Sequence, residues 1–149
     1  MILEFIVSMF ATLAFAILFA APKSELIFCG LAGAIAWSSY LLCLNFNAST
    51  AIANLIATFV LTILSRTVAT VRKSPATIYL ITGIFPLVPG AGLYYTSYYL
   101  ITNEMDQFSR MGTETLKVAG AIVLGIIFGF VPPQTWFHAV SHLKQTTHD

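Results

Sequence analysis

The chain has few charged residues. Seven Lys and Arg and six Asp and Glu make up 9% of its 149 residues, and 58% are hydrophobic. A soluble domain averages about 25% charged residues, so this chain lacks the polar groups needed to cover a soluble fold. With a mean hydropathy of +0.85, the sequence predicts an integral membrane protein in a lipid bilayer.

The sequence also lacks a basic cluster. The formal net charge is +1, and the seven cationic residues are scattered along the chain. Nucleic-acid binding requires clustered Lys and Arg, so a nucleic-acid partner is excluded.

Catalytic and metal-binding motifs are missing as well. There is no Gly-x-Ser-x-Gly, no phosphate-binding Gly-Lys-Ser/Thr run, and no pair of carboxylates at membrane depth. His138 and His142 stand four residues apart, but two ligands make a poor metal site, and they fit better as a polar face of a short C-terminal helix. We therefore expect neither an enzyme nor a metal or cofactor site.

The two cysteines, Cys29 and Cys43, fall in one predicted helix. Fourteen residues of helix separate them by about 21 Å, whereas a disulfide needs Cα atoms within about 7 Å. The sequence predicts two small apolar side chains that do not pair with each other.

Long apolar runs predict an all-α membrane protein with about five spans, since one crossing takes about 20 residues. The first run carries Glu4 and no positive charge near its start, which is typical of a retained helix rather than a signal peptide. No linker or second domain is evident, so we expect one membrane domain over residues 1–149. The predicted spans are residues 2–21, 26–44, 48–64, 78–101 and 116–131, followed by a C-terminal tail at 132–149.

The distribution of positive charge predicts the orientation. If the spans alternate, one face of the membrane holds five cationic residues, and the other holds Arg110 and Lys117 amid acidic residues. Lys and Arg concentrate on the cytoplasmic side, which places the N-terminus outside and the C-terminus inside. The residues on the predicted cytoplasmic side are Lys23, Arg66, Arg72, Lys73 and Lys144. Most of the excess of positive charge on this side comes from the predicted loop 66–73.

The fourth span is interrupted near its centre, in the segment 85–92. Pro86 and Pro89 each remove a backbone donor, and Gly90 and Gly92 follow. Irregular backbone at membrane depth persists only inside protein or against a water-filled cavity. The pattern predicts a discontinuous helix of the kind that binds substrates in transporters, with a packing kink as the alternative.

A helix beginning at Gly90 would present free backbone N–H groups and a partial positive charge. We therefore predict that a substrate carboxylate binds at Gly90, Ala91 and Gly92, with Pro86 and Pro89 holding the break open. No acid sits mid-span, since Glu4 and Glu114 lie near span ends, so proton coupling would need a carboxylate from a partner chain.

Asn54, Thr58 and Thr62 are spaced four apart in the third span and share one helical face. Asparagine at membrane depth must face protein or water. Two interpretations stay open: hydrogen bonding between helices, or a polar route in which Asn54 and Thr58 receive the hydroxyl or ammonium end of a solute.

Four tyrosines follow the break directly. Tyr98 and Tyr99 suit an aromatic belt at the membrane interface. Tyr94 and Tyr95 lie deeper, where a buried phenol requires a partner, and one of them could donate to a substrate carboxylate.

Gly125 and Gly129 form a small-xxx-small motif in the fifth span. Such a face lets helices approach closely, and it could meet another helix of this chain or a second copy in a homo-oligomer.

The run Pro-Leu-Val-Pro-Gly-Ala-Gly-Leu-Tyr over residues 86–94, within about five spans, resembles the threonine/serine exporter family. More narrowly, the chain looks like the small subunit of the split, two-protein form. Ala21-Pro22-Lys23 and the spacing of Gly30, Gly33 and Trp37 match as well.

The resemblance implies secondary active export of small carboxylate-bearing metabolites, chiefly threonine and serine and in some members dicarboxylates. It also implies a bacterial cytoplasmic membrane and a larger partner subunit of the same family. A non-transporting structural or regulatory membrane subunit is the alternative.

Overall fold

The computed structural model describes residues 2–132, and every regular element in that range is helical. Thr and Ser side chains are compatible with these helices because their hydroxyls donate to the carbonyl four residues earlier, as Thr58 does to Asn54. The elements are α1 (Ile2–Leu18), α2 (Leu26–Asn45), α3 (Thr50–Arg72), α4 (Ala76–Ile84), a 3-10 turn (Phe85–Leu87), α5 (Gly90–Ile101) and α6 (Met105–Phe130).

Three helices, α2, α3 and α6, are long and apolar enough to cross a bilayer. The segment Ala76–Leu87 and α5 are long and apolar enough together to cross as well, as a pair bent by 54° at its break. The first predicted span is a shorter apolar helix of 17 residues. The predicted all-α membrane class, with a broken fourth span, is confirmed.

The third span is longer than predicted. Helix α3 continues from residue 64 to Arg72 and ends where Lys73 adopts a left-handed conformation with φ of 54°. Arg66 is buried inside this helix, where its Nη1 donates to the carbonyl of Gly129 at 2.9 Å and its guanidinium lies 5.4 Å from the ring of Phe130. The prediction that residues 66–73 form a loop is therefore wrong, because α6 supplies partners for the charge.

The fifth span also begins earlier than predicted. Helix α6 starts at Met105, so the polar stretch 105–110 is helical and exposed rather than a loop. Its 26 residues correspond to about 39 Å, more than the roughly 30 Å of a bilayer core, so one end extends beyond the hydrocarbon. Polar residues at that end remain in water.

Helix α3 lies at the centre of the bundle and buries two faces. Ala57 and Leu61 pack against Ala32 and Ala36 of α2 and against Leu87 of the 3-10 turn. A second face, formed by Asn54, Thr58 and Thr62, packs along α6. Small side chains on both faces allow the backbones to approach closely.

The Gly125/Gly129 face meets α3 of the same chain. A Cβ atom at Gly125 would collide with the Thr58 hydroxyl and lie 2.5 Å from the carbonyl oxygen of Leu55, and one at Gly129 would collide with Thr62. The sequence left open whether Gly125 and Gly129 meet another helix of this chain or a second copy, and this contact shows that they meet α3. The idea of a homo-oligomer through Gly125 and Gly129 is wrong for this fold, because the face is already covered.

Helices α1 and α2 run antiparallel, with Ala16 beside Cys29 and Thr12 beside Gly33. A Cβ atom at Gly33 would overlap the side chain of Thr12. Cys29 and Cys43 are both free, which confirms that they do not pair.

Replacing Gly125 with alanine should destabilise the protein, because the added methyl has no space between α6 and α3. Overpacking of this kind typically costs about 1–3 kcal/mol, which should appear as a lower thermal unfolding midpoint in detergent. Gly120→Ala is the matched control, since a Cβ atom there meets nothing within 4 Å and alanine favours helix by up to about 1 kcal/mol. Equal midpoints for the two variants would contradict the assigned α3–α6 contact.

Candidate functional site

The break in the fourth span is a short irregular segment between two helices. The 3-10 turn ends at Leu87, Val88 is extended, and α5 begins at Gly90. The N–H of Val88 donates to the carbonyl of Ile84 at 3.2 Å, and the N–H of Gly90 donates to Val88 at 2.8 Å. These bonds satisfy part of the backbone that the prolines leave without helical partners.

Packing fixes one side of the break. Leu87 is 3% exposed in the core formed with α2 and α3. The ring of Phe85 stacks on Phe15 of α1, with centroids 4.3 Å apart, and also lies against Phe19. The 3-10 turn is thereby held against α1, α2 and α3.

The other side of the break, where α5 begins, is open. Gly90 and Ala91 are exposed, and a Cβ atom at Gly90 would meet nothing within 4 Å. Gly92 differs, because a Cβ atom there would collide with the hydroxyl of Thr115 on α6. Of the two glycines predicted to allow ligand approach, Gly90 has open space, whereas Gly92 allows α5 to pack on α6.

The tyrosines after the break lie on the surface of α5. Tyr94 is 64% exposed and Tyr95 46% exposed, so neither phenol is buried by the described residues. Their rings form a ladder in which Tyr94 stacks on Tyr98 and Tyr95 on Tyr99. Helix α5 has no buried residue and packs mainly along α6, which leaves the ladder uncovered by the described residues.

Asn54 and Thr58 lie in the α3–α6 interface and not on an open surface. Thr58 is fully buried and donates to the carbonyl of Asn54 at 2.7 Å. The Asn54 amide nitrogen donates to Thr50 at 2.9 Å, while its Oδ1 is buried without a hydrogen-bond partner among the described residues. The structure brings Asn54 and Thr58 together on one helix, but it does not bring them to the open face of α5.

An open groove of about 370 Å³ borders the break at Pro86, between α1 and α2. Sequence reasoning missed it because its residues come from three separate segments and share no motif. The one available signal was Glu4, an acidic residue inside an otherwise apolar helix. The lining residues are Leu3, Glu4, Val7, Ser8 and Ala11 of α1, with Trp37 and Pro86.

A partly buried ion pair joins the ends of three helices, and sequence reasoning missed it too. Glu25 is 4% exposed and accepts hydrogen bonds from Arg72 Nη2 at 2.8 Å and Nε at 3.1 Å. The Tyr79 hydroxyl donates to the same carboxylate at 2.6 Å, and the Arg72 guanidinium lies 4.5 Å from the centroid of the Phe28 ring. The hydrogen bonds from Arg72 and Tyr79 lower the pKa of Glu25 to about 2.

This ion pair also shows which helix ends lie together. Glu25 precedes α2, Arg72 ends α3, and Tyr79 lies in the first turn of α4. The link between α1 and α2 and the link between α3 and α4 therefore share one end of the bundle, as alternating spans require.

Comparison with known families assigns the chain. The family description "Threonine/Serine exporter, ThrE" matches residues 4–131, which is most of the 149-residue chain and includes the broken span. The chain belongs to the threonine/serine exporter family. No curated protein and no solved structure matched it.

Membership makes this exporter-family chain a multi-pass membrane transporter of the threonine/serine type and not an enzyme. The match covers the break, the Glu25 ion pair and every residue that lines the groove at Pro86 except Leu3. His138 and His142, the pair considered for metal binding, lie outside the described residues.

Replacing Glu25 with glutamine should destabilise the exporter chain in a pH-dependent way. The pKa of Glu25 falls from an ordinary value of 4.5 to about 2 on folding. The carboxylate therefore stabilises the fold above about pH 4.5, and this contribution disappears as pH falls through about 2. Thermal unfolding in detergent should give Glu25→Gln a lower midpoint than wild type at neutral pH, and the gap should narrow from about pH 4.5 downward.

Glu114→Gln is the control for this measurement. Glu114 pairs with Lys117 at 2.8 Å, but both side chains are more than half exposed, and exposed pairs contribute little. The thermal unfolding midpoint of Glu114→Gln should equal that of wild type at every pH measured. A Glu25→Gln gap that is absent, or that is the same at pH 3 and pH 7, would refute the assigned role.

Proposed function

We propose that this chain is the smaller membrane subunit of a two-component secondary exporter, forming one membrane domain of that assembly. Its substrates are small carboxylate-bearing metabolites, chiefly threonine and serine, with dicarboxylates as a further class. The observation that carries the proposal is the broken fourth span, whose second half begins at an open helix N-terminus within a chain of the exporter family.

The substrate carboxylate binds at the start of α5. The N–H of Gly90 is occupied by Val88, so Ala91 and Gly92 supply the donors that the first turn of a helix leaves unpaired. Pro86 and Pro89 keep the preceding backbone from closing a continuous helix. Gly90 lets the ligand approach, because no side chain lies above it.

Tyr94 is the better placed of the two candidate tyrosines. It lies four residues after Gly90 on the same face, and helical side chains point toward the N-terminus of their helix. Its phenol is therefore directed toward the proposed carboxylate position, whereas Tyr95 lies above Ala91.

Asn54 and Thr58 reach a solute only in a second conformation. Thr58 is buried and its hydroxyl is occupied, so α6 must move away from α3 before either residue is accessible. The unpartnered Oδ1 of Asn54 is the group that such a movement would release. Rocking of helices around a fixed site is how many secondary transporters alternate access.

The larger partner subunit covers the open face of α5. The exposed parts of the tyrosine ladder lie on this face, beside exposed apolar residues such as Leu93. Tyr and other aromatic residues are enriched at protein interfaces. A partner here would complete the site from the side that the chain itself leaves open.

The bundle end that holds Lys23, Arg72 and Lys73 faces the cytoplasm of a bacterial cell membrane, by the positive-inside rule. This places the N-terminus outside and the C-terminus inside. The cytoplasmic connection between α3 and α4 is the short link 73–75, rather than the predicted loop 66–73.

Cysteine labelling tests the orientation. In a variant with Cys29 and Cys43 replaced by alanine, a cysteine at Ser74 should resist a membrane-impermeant maleimide in whole cells and react after permeabilisation. A cysteine at Ser109, on the exposed start of α6, should react in whole cells. The reverse pattern would overturn the orientation.

Substituting Gly90 tests the transport site. Gly90→Val should fold, because the new side chain enters open space, yet it places a branched side chain where the carboxylate binds. Export of threonine or serine from loaded proteoliposomes should fall at least about tenfold, the cost of losing about 1.4 kcal/mol of binding. The assay uses the chain together with a larger exporter-family protein encoded beside it, and the chain alone should not export.

Gly120→Val is the matched control, since Gly120 has equally open space on α6 and its variant should export normally. Gly92→Val should instead lose assembly, because it collides with Thr115. Normal export by Gly90→Val at normal expression would show that the substrate carboxylate does not bind at this break. If the wild-type chain together with its partner does not export, the result would favour a non-transporting membrane subunit. If the chain exports without a partner, the proposed need for a larger subunit is disproved.

A further inference from the structure

The link between α1 and α2, residues 19–25, forms a strap that is anchored on α3 and α4. Arg72 Nη2, at the end of α3, donates to the carbonyl of Ser24 at 3.3 Å and to the carboxylate of Glu25 at 2.8 Å. The hydroxyl of Tyr79, in the first turn of α4, donates to the same carboxylate at 2.6 Å. Each of these bonds crosses from the strap to another helix, so Arg72 and Tyr79 hold the strap in place.

The strap forms one wall of an open groove of about 270 Å³. Residues 19–22 line it on the strap side, and α4 forms the other wall with Thr77, Ile78, Ile81 and Thr82. The groove therefore lies directly beside the Glu25 ion pair, whose partner Tyr79 belongs to the same stretch of α4.

The inner end of this groove reaches the break in the fourth span. The ring of Phe19, which lines the groove, has its centroid 5.2 Å from that of Phe85. Phe85 begins the 3-10 turn and directly precedes Pro86. The groove thus runs along α4 from the Glu25 ion pair toward the break, and the contact between the two rings closes it there.

Cys29 lies beneath the strap. Cys29 and Tyr79 are fully buried in one cluster, against which Ala21 of the strap packs. The sulfur of Cys29 is 4.0 Å from the carbonyl oxygen of Ile78, a residue of the groove wall. A strap that moves away from α4 would therefore expose Cys29, so the accessibility of this thiol reports the position of the strap.

The anchor is one that water can replace. The Arg72 side chain is 35% exposed, so its guanidinium reaches water as soon as it leaves the strap. Glu25 is part of the strap, and its carboxylate moves toward water with it. Because partly exposed charges exchange protein partners for water at modest cost, this end of the bundle can open locally while the contacts of α3 stay in place.

We propose that the strap is a lid over the path by which the exported solute reaches the break, with Arg72 and Tyr79 as its latch. The inference rests on the proposed function, because an exporter must admit its solute from the cytoplasm and the strap lies at the bundle end assigned to that side. Loops that open and close over a site are a common device for controlling access to it.

Alkylation of Cys29 tests the latch. The chain carries Cys43→Ala and is purified with its larger partner, and mass spectrometry follows the modification of Cys29 by N-ethylmaleimide. Tyr79→Phe keeps the ring but removes the hydroxyl that donates to Glu25. Its alkylation rate should rise about 10- to 100-fold, the range for losing a hydrogen bond to a charged group, because reaction of a buried thiol follows the population of the open form.

Arg72→Lys provides a second variant if Tyr79→Phe fails to assemble. Lysine keeps the charge but cannot make the paired hydrogen bonds of the guanidinium, so Cys29 should react at least several-fold faster than in wild type. A wild-type rate in either variant that assembles would overturn the latch.

Gly125→Ala separates local opening from general loss of stability. It weakens the contact between α3 and α6, away from the strap, so it should lower the thermal midpoint and leave the alkylation rate of Cys29 as in wild type. If Gly125→Ala raises that rate as much as Tyr79→Phe does, Cys29 is exposed by unfolding and the lid is disproved.

Filling the groove tests the path. Thr77 is exposed and lines the groove, so Thr77→Trp should fold and place an indole in it, and export of threonine from proteoliposomes should fall at least several-fold. Val71→Trp is the control, since Val71 is 41% exposed on α3 and does not line the groove, and it should export normally. Normal export by Thr77→Trp would overturn the path. If the wild-type complex does not export, the proposed function fails, whereas failure of the lid appears as a protected Cys29 in latch variants of a complex that exports.

Discussion

Close approach of α3 to its neighbours is the constraint on which the rest of this bundle depends. Within lipid, burial of apolar surface does not favour helix association, because the lipid tails are as apolar as the side chains. Contact must come from small residues that allow backbones to approach, and α3 has them on two faces. Ala57 packs toward α2 and the 3-10 turn, while Thr58 and Thr62 fit against Gly125 and Gly129 of α6. Their hydroxyls are satisfied within α3 itself, so the interface needs no polar partner from α6.

The break in the fourth span takes its character from this packing. Its first half is held by Leu87 in the α2–α3 core and by Phe85 on α1, whereas its second half, α5, is supported mainly by α6. The same asymmetry leaves the start of α5 and its tyrosines open to a ligand or a partner.

Two carboxylates of the described residues lie in different environments. Glu25 is neutralised by Arg72 and hydrogen-bonded by Tyr79, and it ties the ends of α2, α3 and α4 together. Glu4 lines an open groove beside the break. Glu25 lies at the end of the bundle where α2 begins and Glu4 toward the other end, because α1 and α2 run antiparallel.

Local pattern alone was sufficient for the class of protein, the broken span and the free cysteines. Apolar length and proline chemistry act within a few residues, so Pro86, Pro89 and Gly90 are readable without a fold. The helix ends were harder, because charge suggested a loop at residues 66–73 and a start of the fifth span only at residue 116. Only the tertiary structure provides Arg66 with the Gly129 carbonyl and the Phe130 ring, and shows that residues 105–110 belong to α6.

The sequence by itself determined that this chain crosses a membrane several times and that its fourth crossing is interrupted. Only the tertiary structure decided that Gly125 and Gly129 serve α3 and not a second copy, and that Gly90 is open while Gly92 is packed. It alone brought Glu4 to Trp37 and Pro86. The physical reason is that composition and backbone chemistry are local properties, whereas contact between distant helices depends on rotation and register, which no single helix encodes.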